Sequence, residues 1–560
     1  MRVLDLENLL PEESKRFDQL AHEVKKEYNE LVGGLAKQLK YDFDWLLSPL
    51  LSRNPYLVPT FEQLCFLRLI AELLREKETI NKVATSDRTL ALVLQGNGVS
   101  VELRQSSKAT FGLKAGLKRI LILLYTAFVY IKSRSKKRSN AILKGKELIL
   151  IELFLLPSMF KNGRFEDRYF PGILDHLEDD QRSQIYFIPQ LINVKKGIKP
   201  LLNRASDASY QFIYKFDFLR LSDYVYALMA SWRMRGKVKG LQSGTFHGFD
   251  IQPLIEEAIK KSYYDNSQFI GLLNYRFIKR LKNKGIRVKL FVDWFENQPI
   301  DKGLHRAIHK YYPQAETKGY LGFIVSWLFN LYMQPLKFEK ENRLLPQKVS
   351  VVGESVVDLY KEESEIQVES APAFRFNTAA KRTKESTRSK VLFALPIHIE
   401  DSIGLIHLAD SLSKLPEFRE QQFTIKGHPA YDIDQLIKSA GVDSNAKLDV
   451  SKGDFSEVLA RAKVMISTAS TTCLEAVLSG VPVLIMANNR GLTQNPIPDS
   501  VDRTSWSIVY DDNEAREQLI RCLNYSEATM SQLSEAGQSI RASFFKGVNK
   551  ETVSEFLQLA

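Results

Sequence analysis

The stretch VMISTASTTCLEAVLSGVPVLIM (Val464–Met486) joins two short apolar runs through small hydroxyl residues and a helical segment. VMIS (Val464–Ser467) and VPVLIM (Val481–Met486) have the fully apolar character of strands that are covered on both faces. A helix between two such strands is typical of a parallel sheet. This stretch therefore predicts the α/β fold class.

The same pattern extends in both directions from this stretch. VLFALP (Val391–Pro396) and FTIK (Phe423–Lys426) predict further strands, and Ser402–Leu415 predicts a helix between them. A second set of strands is predicted at Ile80–Ala84, Val99–Leu103, Leu148–Leu156, Ile185–Ile188 and Arg287–Trp294. We expect two doubly wound Rossmann-like domains that face a cleft, preceded by a helical extension over residues 1–75.

The domain boundaries follow from a strand-like KVSVVG and a polar run, KRTKESTRSK, that is too charged to pack. We place the helical extension and the first domain in residues 1–345 and a linker in residues 346–389. The second domain, with C-terminal helices, takes residues 390–560. The carboxyl ends of two such sheets would line the cleft, where ligands of doubly wound sheets bind.

The composition of the 560 residues excludes low-complexity and largely disordered chains, because 44% are hydrophobic and 26% charged. Three cysteines (Cys65, Cys473 and Cys522) stand far apart and predict neither a disulfide framework nor a zinc site. A reducing compartment is therefore expected. The polar and acidic first thirty residues predict no secretory signal, which favours a cytoplasmic location.

The positive charge is concentrated in the first part of the chain. Residues 341–560 have 24 Lys and Arg against 30 Asp and Glu, whereas the whole chain has a net charge of +12. Residues 1–340 therefore have a net charge of +18. This excess indicates an anionic partner, such as lipid headgroups, a phosphorylated acceptor or nucleic acid. A solvated surface that keeps the protein soluble is the alternative.

An unbroken apolar segment, Ile120–Ile131, precedes a basic cluster of Lys132, Arg134, Lys136, Lys137 and Arg138. The segment is shorter than the roughly 20 apolar residues that cross a bilayer. It would either lie in a membrane interface, with the basic cluster on anionic lipid, or form a buried helix with a charged end.

Two segments of the second domain predict a nucleotide site. Lys426, Gly427, His428 and Pro429 follow a strand, with Pro429 placed to open the next helix. Ser467, Thr468, Ser470 and Thr471 lead from a strand into a helix, where backbone N–H groups and hydroxyls cradle phosphate. Each segment alone has a simpler interpretation. Hydroxyls before a helix are ordinary caps, Lys426 would be a surface charge, and His428 would be a packed loop residue.

These segments resemble motifs of the two-domain GT-B glycosyltransferases that make bacterial surface polysaccharides such as O-antigen, lipopolysaccharide and capsule. KGHP and STAS are similar to motifs of enzymes that use CMP-activated sugars, sialic acid or Kdo. The resemblance implies that Lys426 and His428 contact CMP and that Ser467, Thr468 and Ser470 contact its phosphate. LEAVLSGVPVLI is similar to the donor domain of GT-B enzymes generally, which implies that Glu475 contacts donor ribose or sugar.

The resemblance extends weakly over the first domain and leaves the donor open. DWLLSPLLSRNPY (Asp44–Tyr56), RYFPG (Arg168–Gly172) and VDWFENQPIDKG (Val292–Gly303) are similar to surface-carbohydrate biosynthesis proteins of uncharacterised function. The chain lacks the Gly-rich donor loop of many enzymes that use diphospho-sugars. UDP- or GDP-sugars therefore remain possible but are less favoured than a CMP-sugar.

Sugar transfer requires a general base in the first domain, and a retaining double displacement would also require a carboxylate nucleophile. Asp293 and Glu296 end the clearest predicted strand, beside aromatic Trp294 and Phe295 that would stack on sugar rings. His247 and Asp250, in a Gly-flanked loop, are the second choice. Glu152 lies within an apolar run, so it is either a site residue or an edge-strand residue that faces solvent.

No sequence cluster suggests a metal, and His305 and His309 are interpreted as a solvated helix face. The leading hypothesis is a metal-independent glycosyltransferase without a cofactor beyond its nucleotide-sugar substrate. It would transfer to a glycan or lipid-linked acceptor, at the inner face of the cell membrane. A sugar-nucleotide epimerase or hydrolase is one alternative. A basic membrane- or nucleic-acid-binding protein with a degenerate enzyme fold is another, although no nucleic-acid-binding pattern is visible.

Overall fold

The computed structural model describes residues 2–76, 80–104, 113–141, 145–161, 164–191, 198–206, 210–326, 328, 330–361, 366–376, 388–442, 448–468 and 470–559. Two six-stranded parallel sheets, each covered by helices, dominate this part of the chain. They confirm the predicted fold class of two doubly wound α/β domains. We call them the first lobe and the second lobe.

An N-terminal unit of helices and a small parallel sheet precedes the first lobe. Its elements are β1 (Arg2–Asp5), α1 (Pro11–Gln38), α2 (Phe43–Leu46), α3 (Thr60–Arg75), β2 (Ile80–Thr85), α4 (Arg88–Gly96) and β3 (Val101–Leu103). The predicted strands at Ile80 and Val99 form β2 and β3, which pair with each other, and β2 pairs with β1; neither joins the first large sheet. The prediction of a purely helical start missed β1, because four residues are too few to show a period.

The first lobe begins with helices and is built on the sheet of order β13–β12–β11–β10–β4–β7. Its helices are α5 (Leu113–Ser133), α6 (Lys136–Ala141), α7 (Asp179–Arg182), α8 (Lys199–Ser206), α9 (Leu221–Leu228), α10 (Ala230–Arg235), α11 (Gln252–Ser262), α12 (Asn266–Asn283), α13 (Pro299–Tyr311), α14 (Lys337–Glu341) and α15 (Glu354–Lys361). Its sheet strands are β4 (Glu147–Leu155), β7 (Ile185–Leu191), β10 (Arg287–Trp294), β11 (Glu316–Leu321), β12 (Lys348–Val351) and β13 (Gln367–Ser370). Two small hairpins add β5 (Phe160–Lys161) with β6 (Arg164–Phe165), and β8 (Thr245–Phe246) with β9 (Phe249–Asp250).

The second lobe has the sheet order β16–β15–β14–β17–β18–β19. Its strands are β14 (Lys390–Ala394), β15 (Gln422–Lys426), β16 (Leu448–Ser451), β17 (Ala462–Ser467), β18 (Val483–Met486) and β19 (Trp506–Val509). Its helices are α16 (Ile399–Ser413), α17 (Ile433–Ser439), α18 (Phe455–Leu459), α19 (Thr472–Leu478), α20 (Asp512–Leu523), α21 (Glu527–Phe544) and α22 (Lys550–Leu557). The predicted strands of this lobe all form, because their apolar side chains are buried on both faces.

The lobe boundary differs from the predicted linker. Within residues 346–389, β12 and β13 add two strands to the sheet of the first lobe. The C-terminal helix α22 packs Val553, Phe556 and Leu557 into the apolar core of the first lobe rather than extending the second. A sequence pattern does not show this return, because the helix contacts residues more than 150 positions earlier, such as Phe374 at a ring-centroid distance of 5.9 Å.

Candidate functional site

The strand order of the second sheet reverses between β14 and β17, because the chain runs outward from β14 through β15 to β16 and then returns to β17. At the carboxyl edge, Ala394 of β14 pairs with Lys426 on one side and with Ser467 on the other. Lys426 and Ser467 therefore lie at the same level on either side of one strand. Ligands of doubly wound sheets bind at such a reversal point.

The hydroxyl groups of the segment from Ser467 to Thr471 differ in whether the protein already uses them in hydrogen bonds. Ser467 is fully buried, and its Oγ donates a hydrogen bond to the Ala394 carbonyl oxygen at 2.6 Å. Thr468 Oγ1 is buried and has no hydrogen-bond partner among the described residues. Ser470 Oγ accepts from Thr472 Oγ1 at 2.8 Å, and Thr471, the N-cap residue of α19, is exposed. Thr468 is thus a buried hydroxyl that no described residue satisfies.

The cationic segment after β15 is half-buried at Lys426 and His428. His428 Nδ1 accepts a hydrogen bond from the Ala430 backbone N–H at 3.1 Å, and burial lowers the pKa of the ring. The neutral ring therefore carries its proton on Nε2, where it can donate to a ligand. Pro429 lies in a turn and does not open a helix as predicted, because α17 begins only at Ile433, after the Asp432 cap.

A cavity of about 540 Å³ adjoins this edge, within the size range of small-molecule sites. It lies between the N-terminal unit and the carboxyl ends of β17, β18 and β19, beside the start of α16 and α20. Its lining includes Asn8, Glu400, Thr468, Met486, Asn488 and Tyr510. Thr468, with its unsatisfied hydroxyl, therefore belongs both to the hydroxyl segment and to the wall of a cavity.

The sheet of the first lobe reverses between β4 and β10, where Glu152 lies. Glu152 is fully buried, and its Oε2 accepts from the Trp294 backbone N–H at 3.3 Å. Burial, together with the charges of Asp301 and Asp293, raises the pKa of Glu152 well above its ordinary value. Glu152 is therefore an interior residue whose burial favours the neutral carboxyl, and its central position in the sheet excludes the alternative of an edge-strand residue that faces solvent.

Asp293 was predicted to be a catalytic carboxylate at the edge of the sheet. In the structure it is fully buried beneath that edge. Its Oδ2 lies 3.0 Å from His305 Nε2, and both side chains have no exposed surface. Burial raises the pKa of Asp293 well above its ordinary value and lowers that of His305 to about 3. His305 is thus an interior partner of Asp293 rather than part of a solvated helix face. His309 is half-buried and contacts the Leu345 carbonyl oxygen at 2.8 Å.

Glu296 is the predicted carboxylate that remains partly exposed at the first edge. Its Oε1 accepts from Trp294 Nε1 at 3.0 Å, and burial raises its pKa while the charge of Arg375 opposes this. Trp294 and Phe295, predicted to stack on sugar, are instead buried. Trp294 packs on Phe323 and Phe295 is within 6.3 Å of His305, so neither ring is open to a ligand.

Arg375 lies close to a carboxylate of each lobe. It lies in the short 3-10 helix Phe374–Phe376, with its Cζ 5.6 Å from the Trp294 ring centroid. Burial raises the pKa of Glu475, and the charges of Arg375 and Arg541 oppose this. Arg375 is therefore close both to Glu296 of the first lobe and to Glu475 of the second. Sequence reasoning missed Arg375 because it lay in the predicted linker.

His247 and Asp250 lie in the β8–β9 hairpin, apart from both edges. His247 Nε2 is 2.9 Å from Glu27 Oε2 of α1, and Asp250 Oδ1 accepts from the Gln252 backbone N–H at the start of α11. Neither has a hydrogen bond to a sheet edge in the described part of the chain. Their loop position made them plausible candidates, but it serves packing and helix capping.

The described residues contain no group of three or more His, Cys, Asp or Glu side chains arranged to hold a metal ion. The cysteines Cys65, Cys473 and Cys522 are buried and not disulfide-bonded. Burial raises the pKa of the Cys473 thiol to about 12, so this residue beside the hydroxyl segment is not a thiolate.

Comparison with known proteins gives one match of sequence. The family model described as "Putative glycosyltransferase (DUF6716)" matches residues 418–497, a range that contains both segments of the second edge. No curated protein sequence matches the chain.

Solved structures with similar folds share little sequence with the chain. Trehalose 6-phosphate synthase from Burkholderia multivorans is 10% identical, with a TM-score of 0.41 over 74% of this chain and 95% of that one. UDP-GlcNAc 2-epimerase from Neisseria meningitidis is 13% identical, with a TM-score of 0.43 over 74% of this chain and 100% of that one. MurG from Acinetobacter baumannii is 11% identical, with a TM-score of 0.38 over 74% and 100%. Similarity at this level carries no argument about function.

Proposed function

We propose that this chain is a glycosyltransferase whose nucleotide-sugar donor binds at the carboxyl edge of the second lobe. One observation carries the proposal. Lys426 and Ser467 flank Ala394 at the reversal point, on an edge that meets Glu296 of the first lobe at Arg375. The proposal thus combines a cationic group and hydroxyls on one lobe with a carboxylate on the other. The family match over residues 418–497 supports the same assignment.

The donor in this proposal is a CMP-activated sugar, Kdo or a sialic-acid-like sugar. Its support is the similarity of KGHP and STAS to the motifs of CMP-sugar enzymes. Lys426 would pair with the phosphate, and Thr468, Ser470 and Thr471 would donate hydroxyl hydrogen bonds to it. His428 Nε2–H would donate to the nucleotide, and Glu475 would accept from a sugar or ribose hydroxyl. The cavity beside Thr468 has room for part of such a ligand.

The chemistry assigned to the first lobe is deprotonation of the acceptor. Glu296 takes the proton of an acceptor hydroxyl as that oxygen forms a bond to the anomeric carbon of the donor. The bond from this carbon to the donor phosphate breaks, and CMP leaves with the electron pair. Lys426 and Arg375 stabilise the negative charge that the phosphate gains. Because the donor phosphate and the acceptor hydroxyl lie on different lobes, the reaction requires both edges.

The acceptor in this proposal is a surface-polysaccharide or lipid-linked glycan, met at the inner face of the cell membrane. Support comes from the net charge of +18 in residues 1–340, which favours an anionic surface. The apolar and basic segment around Ile120–Arg138 lies in the same lobe as Glu296.

The test is thermal unfolding with CMP, UDP and GDP. A ligand at 100 times its Kd stabilises the native protein by about 2.7 kcal/mol, so CMP should raise Tm by several degrees. His428→Ala should abolish this shift. His407→Ala is the matched control, since His407 is an exposed histidine on α16. A shift with UDP or GDP alone would replace the CMP assignment, and no shift with any nucleotide would refute the donor site.

A further inference from the structure

Helix α5 is apolar on two faces, but only one face is buried. Leu123, Ala127 and Tyr130 form the buried face and pack into the core of the first lobe. The opposite face carries an apolar stripe at helical spacing, with side chains 43–64% exposed. The stripe consists of Leu117, Leu121, Ile122, Leu124, Tyr125, Phe128 and Ile131. A surface helix ordinarily places polar residues there, so this face is built to meet something apolar.

A second exposed stripe lies on the adjoining helices α9 and α10. Leu221, Val225 and Met229 repeat every four residues, and Trp232 follows at 70% exposure. Helix α9 is a neighbour of α5, because Tyr224 of α9 packs in the same core as Tyr130 of α5, and α10 contacts α9 in turn. We call the exposed stripe of α5, together with those of α9 and α10, the apolar face.

The charged residues along α5 and α6, beside the apolar face, are all positive. Residues 103–146 contain twelve Lys and Arg and no Asp or Glu. Lys118, Lys132, Arg134, Lys136 and Lys137 are exposed. Lys132 Nζ lies 5.7 Å from the Phe128 ring centroid, so a cation borders the apolar stripe directly. This pattern of long aliphatic and aromatic side chains edged by cations is complementary to acyl chains beneath anionic headgroups.

We propose that the apolar face inserts into the interface of an anionic lipid bilayer, with α5 lying along the membrane plane. In the described part of the chain no helix is long and apolar enough to cross a membrane, so the contact is a surface contact. A second copy of the chain fits less well, because it would bring the same cations against these ones. The inference rests on the proposed function only in that the acceptor would be reached at the membrane.

The experiment is co-sedimentation with phosphatidylcholine vesicles, with and without phosphatidylglycerol. The protein should bind the anionic vesicles, and added salt should weaken the binding. Leu121→Glu/Phe128→Glu should lower the vesicle affinity by at least about tenfold, since two inserted side chains become charged. Lys136→Glu/Lys137→Glu should lower the vesicle affinity by a similar factor. Each cation near anionic lipid contributes slightly less than about a tenfold factor to the affinity.

Two control variants carry the same changes elsewhere. Leu92→Glu changes an equally exposed leucine on α4, and Lys438→Glu changes an exposed lysine on α17; both should bind vesicles like the unaltered protein. No binding to anionic vesicles, or equal binding to neutral ones, would overturn the proposal. So would self-association, measured by sedimentation equilibrium, that Leu121→Glu/Phe128→Glu abolishes in the absence of vesicle binding.

The donor site is tested separately in the same variants. Leu121→Glu/Phe128→Glu should keep the CMP-dependent rise in Tm, because α5 does not contribute to the second lobe. Loss of vesicle binding with a preserved CMP shift shows that the variant is folded and confirms the assigned surface. Vesicle binding without any nucleotide shift would leave the membrane surface in place and refute only the donor site.

Discussion

Ser467 donates a hydrogen bond from Oγ to the carbonyl oxygen of Ala394 at 2.6 Å, across the reversal point of the second sheet. This bond uses the hydroxyl that the serine-rich motif would otherwise offer to a ligand. The neighbouring Thr468 Oγ1 is buried without a partner in the described residues. The two hydroxyls therefore have separable roles, one in joining strands and one in binding.

Ser467→Ala should lower stability, and Thr468→Val should lower donor affinity. Loss of the buried Ser467 hydrogen bond should cost about 1 kcal/mol of unfolding free energy. Removal of the Thr468 hydroxyl breaks no hydrogen bond in the free protein, so its Tm should change little. Tm and the CMP affinity, measured for both variants, check the prediction. A Thr468→Val protein that binds CMP normally would contradict it.

Lys426→Met should weaken CMP binding while the apolar stem keeps its packing. A charge-assisted hydrogen bond to phosphate contributes about 1.5–3 kcal/mol, so the affinity should fall tenfold or more. The salt dependence of binding should also become shallower, since one cation no longer faces the phosphate. Titration calorimetry at two salt concentrations measures both effects. Lys438→Met, on the exposed side of α17, serves as the control, and an equal loss there would indicate a nonspecific charge effect.

Glu296→Gln should lower kcat about 10²- to 10⁴-fold with donor affinity preserved, because a general base contributes a factor of this size. Burial raises the pKa of Glu296, and a base must be deprotonated to act. Activity should therefore rise with pH, with a midpoint above the ordinary glutamate value of 4.5. The pH profile of kcat/KM measures this midpoint. Asp250→Asn, at the helix cap remote from the edge, should keep full activity; a loss there would revive the second sequence candidate.

Glu152→Gln should make the protein more stable than the unaltered protein, and this difference in stability should grow as the pH rises. The folded state raises the pKa of Glu152 well above 4.5, so above pH 4.5 the unfolded chain loses this proton and the folded protein keeps it. Stability then falls by up to about 1.4 kcal/mol per pH unit until the folded carboxyl also ionises. Glutamine has no such proton, so the Tm difference should grow as the pH rises above 4.5, until the folded carboxyl ionises.

The matched control for this pH effect is Glu147→Gln, at the exposed start of the same strand. Because this side chain is exposed, its replacement tests what the same substitution does without burial. A constant difference for Glu152→Gln would mean that Glu152 is ionised in the folded protein and that its charge is neutralised by a cation.

Arg53→Met should destabilise the protein by about 3–5 kcal/mol, the cost of breaking a buried ion pair by removing one partner. The buried Arg53 guanidinium donates to the carbonyl oxygens of Leu331 and Tyr332 and lies 3.4 Å from Glu339 Oε2. Lys302 stays 2.6 Å from Glu339, which should keep the loss near the lower end. Thermal unfolding measures the change, with exposed Arg419→Met as the control. A loss below 1 kcal/mol would contradict this structural role.

Local pattern was enough to predict the central strands of both sheets. β10, β14, β15, β17 and β18 are rich in apolar residues, and the burial of these residues on both faces leaves a strong signal in the sequence. β1 and β12 have only four residues each, so their pairing depends on neighbours far along the chain. The return of α22 to the first lobe depends on the same kind of long-range contact and was missed.

The site was predicted in part, for the same reason. Strand ends predict that Lys426 and Ser467 lie at the same edge, and the register shows that they do, because a parallel sheet aligns its carboxyl ends; their role in binding stays a prediction. A sequence pattern does not show how deeply a carboxylate is buried. Asp293 was therefore predicted to be catalytic although it lies beneath the edge, beside His305. Arg375 was missed because no local pattern distinguishes a cleft arginine from one in a linker.

The polypeptide passes between the lobes twice, after Phe376 and again after Phe544. The segments that end at Phe376 and begin at Phe545 lie side by side, since the Ala373 backbone N–H donates to the Lys546 carbonyl oxygen at 2.9 Å and Phe376 stacks on Phe545 at 4.2 Å. Because both segments leave the first lobe at one point, any rotation of the second lobe relative to the first would pivot there.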